Sequence, residues 1–251
     1  MAVTSLRKKK VQHHSGLRGQ VALITGATRG IGLAIARTLA QQGCNLVVTG
    51  RDEAALKRVS RELSGSKIRV ITQACDVRDP QSVELLFDSV RKEFKRLDIL
   101  INNAGISHQS LPVEKLPFAD WKEVIDTNLH GMFLVTQAAL ALMKSGGTIV
   151  NMLSVAANRV FPGGAGYGAS KHAALGLTNT LREELRPRGI RVIGILPGAT
   201  NTDIWNSFWA AAPRERMMAP ESVAEIVTQT ILLPGNATVE TLEIRPTVGA
   251  L

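Results

Sequence analysis

Aromatic residues make up only 4% of this 251-residue chain, and it has a single tyrosine, Tyr167. Its interior must therefore be largely aliphatic. There are two cysteines, Cys44 and Cys75. That is too few for a disulfide framework, and they lack metal-ligand spacing, so a reducing, cytoplasmic setting is expected. Each lies among apolar neighbours and reads as a small core residue. No metal site is expected; the pair His13-His14 has no other ligand-type residues around it. No apolar run approaches the roughly 18 residues of a membrane span, and no membrane association is expected. Residues 1–20 contain no acid. They hold Arg7, Lys8, Lys9, Lys10 and Arg18, and so supply +5 of the net +9, leaving +4 on the other 231 residues. A basic tail on a near-balanced body reads as a flexible, solvated extension over residues 1–18. It lacks the apolar stretch of a secretory signal; a short transit peptide stays open. Four consecutive basic residues without interleaved aromatics are a poor nucleic-acid signal, and no nucleic-acid partner is expected.

What is present is an alternating pattern. Short β-rich runs occur at 21–25, 45–50, 68–72, 97–102, 147–153, 190–196 and 240–245, nearly all continuously apolar, as strands covered on both faces must be. Between them lie segments with apolar spacings of three and four. One ends at Gly43, a C-terminal stop; another opens with Asp79-Pro80, an N-cap followed by proline at the first helical position. The pattern predicts one α/β domain over residues 19–251. It is a doubly wound fold of seven mostly parallel strands with helices on both faces.

The stretch TGATRGIG, residues 25–32, follows the first strand and opens a helix. Gly26, Gly30 and Gly32 allow a sharp turn and the close approach of a pyrophosphate to backbone amides. The helix N-terminus supplies unpaired N–H groups to the anion. A glycine motif in this context predicts a dinucleotide. The second strand ends at Gly50, where an acid would bond the ribose of NAD, and Arg51 follows. With Arg29 nearby, two arginines around one anion favour NADP (NADPH) over NAD. Asp52 reads more simply as the N-cap of the next helix.

Tyr167 and Lys171 are four residues apart in a stretch of strong helical spacing, so both fall on one face, one turn apart. A free phenol has a pKa of about 10. An ammonium beside it favours the phenolate and is expected to lower that value. A phenol so tuned can give a proton to a carbonyl oxygen or take one from an alcohol. Ser154 stands thirteen residues earlier, at the end of a strand, where it can hydrogen-bond a substrate oxygen. Asn102-Asn103-Ala104-Gly105 and Leu196 to Thr200 end two further strands. The C-terminal ends of parallel strands are where ligands bind in open α/β sheets.

Taken together, these residues resemble the short-chain dehydrogenase/reductase family, from about Gly19 to Arg245. The resemblance rests on TGATRGIG, Asp76, NNAG, Asn128, Ser154, Tyr167, Lys171 and Pro197-Gly198. It implies a catalytic tetrad of Asn128, Ser154, Tyr167 and Lys171, with Asn128 holding through its main chain a water that relays protons from Lys171. It also implies that Lys171 bonds the nicotinamide ribose, and that Asp76 and Val77 meet the adenine. Thr28, Arg29 and Ile31 would lie in the phosphate loop. Asn103, Ala104 and Gly105 would sit beside the adenosine ribose, and Pro197, Gly198, Thr200 and Thr202 at the nicotinamide end. A homotetramer or homodimer is implied as well.

The expected activity is NADP(H)-dependent interconversion of a carbonyl and an alcohol. The chain ends VETLEIRPTVGAL and lacks the glycine-aspartate-glycine-rich final strand of many 3-oxoacyl-carrier-protein reductases. It looks more like the branch acting on small 3-hydroxy or 3-oxo acids, or on assorted aldehydes and ketones. The carrier-protein reductase activity stays as an alternative. A non-catalytic NADP-binding sensor is a reading of another class; it predicts a damaged tetrad position, and none is damaged. The substrate loop falls at about 200–220. There Trp205 and Trp209, spaced i and i+4, form either an apolar lid or a short helix packed on the core or on a neighbouring subunit. Arg159, Arg214 and Arg216 are candidates to meet an anionic substrate.

Overall fold

The computed structural model describes residues 16–65 and 67–249; the basic tail expected over residues 1–18 lies, up to residue 15, outside them. Leu17 is buried in the core cluster that holds Leu39 and Leu46. Among the described residues the chain forms seven strands and eight α-helices.

The strands are β1 (Val21–Ile24), β2 (Asn45–Gly50), β3 (Val70–Ala74), β4 (Leu97–Asn102), β5 (Met143–Met152), β6 (Arg191–Pro197) and β7 (Thr241–Ile244). They lie in the order β3-β2-β1-β4-β5-β6-β7, and every neighbouring pair is parallel. The order reverses between β1 and β4, where Ala22 is in register with Ile99. Parallel neighbours need crossovers, which the helices α1 (Gly30–Gln41), α2 (Glu53–Leu63), α3 (Pro80–Glu93), α4 (Phe118–Ile125), α5 (Gly131–Ala139), α6 (Ala165–Leu185), α7 (Ile204–Phe208) and α8 (Pro220–Ile231) largely provide.

The two faces of the sheet are buried separately. Leu39, Leu56, Val59 and Val227 of α1, α2 and α8 cover one face over Ile24, Val48 and Ile101. Leu86, Phe87, Val135 and Leu181 of α3, α5 and α6 cover the other over Leu23, Leu100 and Ile149. This is why the central strands read as unbroken apolar runs. Local chemistry sets the helix starts. Asp52 accepts from Ala55 N at 3.0 Å, and Asp79 accepts from Gln81 N at 3.0 Å with Pro80 next to it. Cys44 and Cys75 are both buried and free, and burial pushes the Cys44 thiol up to about 12.

Between α4 and α5 the helix is wound as a π turn over Asp126–His130. The extra residue lies in the segment DTNLHG, which carries Asn128. Such bulges open the i to i−4 ladder locally.

Candidate functional site

At the C-terminal ends of the strands lies a cavity of about 710 Å³. Its floor is the turn between β1 and α1. Gly26 has φ +62°, and a Cβ there would fall 2.9 Å from Ala104 Cα. The turn is drawn onto the end of β4 by hydrogen bonds. Asn103 Nδ2 donates to Thr25 O at 2.9 Å and to Gly26 O at 3.0 Å. The Thr25 hydroxyl accepts from the backbone N–H groups of Asn103 and Ala104 at 3.0 and 2.9 Å. Gly32 lies beneath this junction rather than in the cavity, because a side chain there would meet Asn103 Nδ2 at 2.4 Å. Arg29, at the N-cap of α1, makes no side-chain cap, and the first turn holds no acid. The N–H groups of that turn are thus a ready cradle for an anion.

One end of the cavity is bounded by Arg51, Asp76 and Val77. At Gly50 a Cβ would meet Thr28 Cγ2 at 2.9 Å, so the end of β2 presents backbone where an acid would otherwise stand. Arg51 is exposed at the rim. Arg29 also lines the cavity, but its guanidinium donates to Asp203 at 3.1 Å, a surface pair bridging the glycine turn and the loop before α7. Asp76 is bound by a residue the sequence reading passed over. Arg78 donates to both its carboxylate oxygens, at 3.1 Å or less, and holds the carboxyl below its ordinary range. Arg78 also pairs with Glu123.

At the other end, Tyr167 and Lys171 project from α6 toward Ser154, two residues beyond the end of β5. Lys171 Nζ lies 5.6 Å from the centroid of the Tyr167 ring and donates to Met152 O at 2.9 Å. Lys171 is buried, and burial pulls its ammonium down to about 8. The expectation that lysine lowers the phenol pKa does not describe this arrangement. Burial dominates and raises the Tyr167 pKa, while the Ser154 hydroxyl lowers it in part. Ser154 Oγ accepts from Ala156 N at 3.1 Å, which fixes its direction.

Asn128 stands behind the wall rather than in the cavity. Its amide donates to Ile106 O and Ser170 Oγ at 2.9 and 3.0 Å and accepts from Ile106 N at 2.8 Å. Both N–H donors of the side chain are thus occupied. Pro197, Gly198, Thr200 and Thr202 also line the cavity. Of the tetrad and cofactor residues expected from the sequence, only Gly32 and Asn128 are not in the cavity wall.

Ile106, Val155, Phe161, Trp205 and Phe208 supply an apolar part of the remaining wall. Trp205 packs edge-on to Phe208 at 6.1 Å and to Trp209 at 6.5 Å, and donates from Nε1 to Thr200 O at 3.0 Å. Trp205 and Phe208 face the cavity, and Trp209 does not. Arg159 lines the wall; Arg214 and Arg216 do not. Arg214 instead staples the loop, donating to Thr202 O at 2.6 Å and Asn206 Oδ1 at 2.8 Å. A second arginine the sequence reading missed, Arg245, joins Arg159 at the wall. Both pair with Glu243, which also accepts from Asn158.

A sequence profile of the short chain dehydrogenase family matches residues 20–212. The chain is similar to sulfoacetaldehyde reductase 2 of Chromohalobacter salexigens, 38% identical over 90% of this chain and 94% of that one. Among solved structures it is similar to an alcohol dehydrogenase of Thermococcus sibiricus complexed with 5-hydroxy-NADP. That match has a TM-score of 0.85 and 32% identity, covering 92% of this chain and 97% of the other. It is also similar to a 3-ketoacyl-(acyl-carrier-protein) reductase of Brucella melitensis complexed with NADH. There the TM-score is 0.83 and the identity 28%, over 92% and 98% of the two chains.

Proposed function

The chain belongs to the short-chain dehydrogenase/reductase family, and from that premise we propose that it is an NADP(H)-dependent oxidoreductase whose acid–base group is Tyr167. The observation that carries the reading is one continuous cavity. It joins the glycine turn to Ser154, Tyr167 and Lys171 at the ends of the strands.

The residues present fit a nicotinamide dinucleotide. The turn at Gly26 and Gly30 has positive φ and brings backbone to the surface at an uncapped helix start, as a pyrophosphate requires. Arg51 would take the 2′-phosphate, joined by Arg29 once it leaves Asp203. Gly50 offers no acid to the ribose, and NAD is the poorer fit. Asp76 and Val77 would meet the adenine, Asn103 to Gly105 the adjacent ribose, Lys171 the nicotinamide ribose, and Thr200 and Thr202 the nicotinamide end. The bound cofactor supplies the hydride chemistry.

The chain's own residues position the substrate and move the proton. Ser154 would hold the substrate oxygen beside the phenol. Tyr167 would donate its proton to that oxygen in reduction and remove it in oxidation. Burial raises the phenol above its ordinary value, so the resting Tyr167 is protonated and ready to act as the acid. Lys171, near 8, would pass protons between the phenol and a water held by the main chain of Asn128.

For the substrate we favour a small 3-hydroxy or 3-oxo acid or another anionic aldehyde or ketone. Arg159 and Arg245 share one carboxylate, Glu243, so this part of the wall keeps a net positive charge for an anionic group. A relative named as a sulfoacetaldehyde reductase supports the same class, since that aldehyde carries a sulfonate. The exposed Phe118 and Phe133, on α4 and α5, supply apolar surface for a second copy, and a homodimer or homotetramer fits. The free, buried Cys44 and Cys75 fit a cytoplasmic setting.

The test is NADPH oxidation against small anionic and neutral carbonyls, with Tyr167→Phe beside the wild type. The expected result is a fall in turnover of about 10²–10⁴-fold with NADPH binding retained. Turnover like the wild type in Tyr167→Phe sinks the phenol mechanism. If no carbonyl is turned over while NADPH binds, the non-catalytic sensor reading takes its place.

A further inference from the structure

α6 begins without a cap of its own. Its N-cap is Gly164, which has no side chain to offer. The N–H groups of the second and third helical residues, Gly166 and Tyr167, are those a capping side chain normally satisfies. Here they are satisfied from a loop nearly sixty residues earlier. His108 Nε2 accepts from Gly166 N at 3.0 Å and from Tyr167 N at 3.4 Å. Its Nδ1 lies 2.6 Å from Gln109 O, an acceptor, so Nδ1 carries the proton and Nε2 the lone pair. His108 is only 4% exposed.

The helix makes room for this contact. A Cβ at position 166 would lie 3.0 Å from both Cδ2 and Nε2 of His108, with Trp121 at 3.5 Å on the other side. Glycine at 166 is what lets the imidazole reach the backbone. The loop bearing His108 is itself held at two further points. Ser110 N donates to Phe208 O at 3.2 Å, and Leu111 N donates to Gly163 O at 3.1 Å. One loop thus fixes the start of the Tyr167 helix and the end of α7, and it leaves β4 directly after Asn103 to Gly105.

We infer that His108 is a positioning residue for the reaction: as the remote N-cap of α6, it sets where the Tyr167 phenol stands relative to Ser154. The inference rests on the reading of Tyr167 as the acid–base group only where turnover is concerned. The contact with the Tyr167 backbone is independent of it. A shift of about 1 Å at a reacting group can cost on the order of 10²-fold in rate, and helix α6 has no second side-chain cap to take over.

Because Tyr167 is the only tyrosine, phenolate absorbance on titration to high pH reads that side chain alone. The experiment compares His108→Gln with His108→Asn. Glutamine places a carbonyl oxygen about where Nε2 stands; asparagine stops short. His108→Gln is expected to keep kcat and the raised Tyr167 ionisation. His108→Asn should lower kcat on the order of 10-fold to 10²-fold, with the KM for NADPH unchanged. Its phenol should ionise nearer the ordinary value of about 10, as the ring loosens from its buried place. Gly166→Ala, which pushes the imidazole back, should move both readouts the same way as His108→Asn. The inference is overturned if His108→Asn lowers only the melting temperature, leaving kcat per folded molecule and the Tyr167 titration as in the wild type. It is overturned equally if His108→Gln and His108→Asn behave alike. If Tyr167→Phe proves fully active, the turnover arm loses its meaning, but the titration still decides whether His108 places the ring.

Discussion

At the scale of single residues, Lys171 carries an opposition between stability and use. Its ammonium is buried with one backbone oxygen for a partner, and its pKa falls to about 8. The unfolded chain holds that proton to about 10.4. Between the two values the unfolded state binds more protons, so stability rises with pH through that window. Below it the cost of the buried ammonium is present in full. Lys171→Met should therefore raise the melting temperature near neutral pH and lose that advantage as pH passes the upper value, while turnover collapses. A melting series across pH, run beside an activity assay, checks both. The same burial explains why the sequence misled on Tyr167. Reading Y-x-x-x-K as an ammonium beside a phenol assumes that the ammonium is the strongest influence; desolvation, which a sequence does not display, is stronger. Arg51 makes a simpler prediction. Arg51→Asp should remove the cation at the rim and supply a ribose acceptor, shifting the kcat/KM ratio of NADPH to NADH toward NADH by about 10-fold or more. An unchanged ratio would relocate the 2′-phosphate.

Among the elements, those made by periodicity and caps were readable and those made by tertiary contact were not. β2 and β4 fall on the residues expected, and α2 and α3 start at the aspartates that cap them. β3 is shifted toward Ala74, two residues past the apolar run, because pairing with Thr49 and Gly50 carries the strand on through polar Gln73. The π turn at Asp126–His130 has no period of its own in the sequence; there Asn128 is anchored to Ile106 and Ser170. α7 is one short turn, below what periodicity resolves, and is held by Arg214 and by Trp205 bonding Thr200. Trp205→Ala should loosen it. The expected outcome is a rise in the KM for the carbonyl of about 10-fold, with the KM for NADPH little changed. Equal rises in both would mean that α7 orders the cofactor site as well.

Across the whole molecule, the site depends on two separate hydrophobic layers keeping seven strand ends level. Phe87, 2% exposed, sits under α3 in the layer opposite the glycine turn. Phe87→Ala should cost about 3–5 kcal/mol of stability and leave kcat per folded molecule unchanged, as denaturant titration with an activity assay would show. The fold class was readable because apolar strand runs alternate with helical segments and every neighbouring strand pair is parallel, and motif positions at strand ends then placed the cavity. The remote pairings, Asp203 on Arg29 and Arg245 beside Arg159 on Glu243, were not, since each is set by chain geometry rather than by spacing; Arg78, only two residues from Asp76, was in reach of spacing.

The reversal of strand order between β1 and β4 bears on how the chain is made. Ala22 meets Leu46 on one side soon after synthesis, but Ile99 on the other only after some 75 further residues have been added. At ribosomal speeds of about 5–20 residues per second, that leaves one edge of β1 without its neighbour for roughly 4–15 seconds. During that interval the nascent chain presents an open parallel edge of aliphatic residues, so this half of the protein is where a chaperone would find its target.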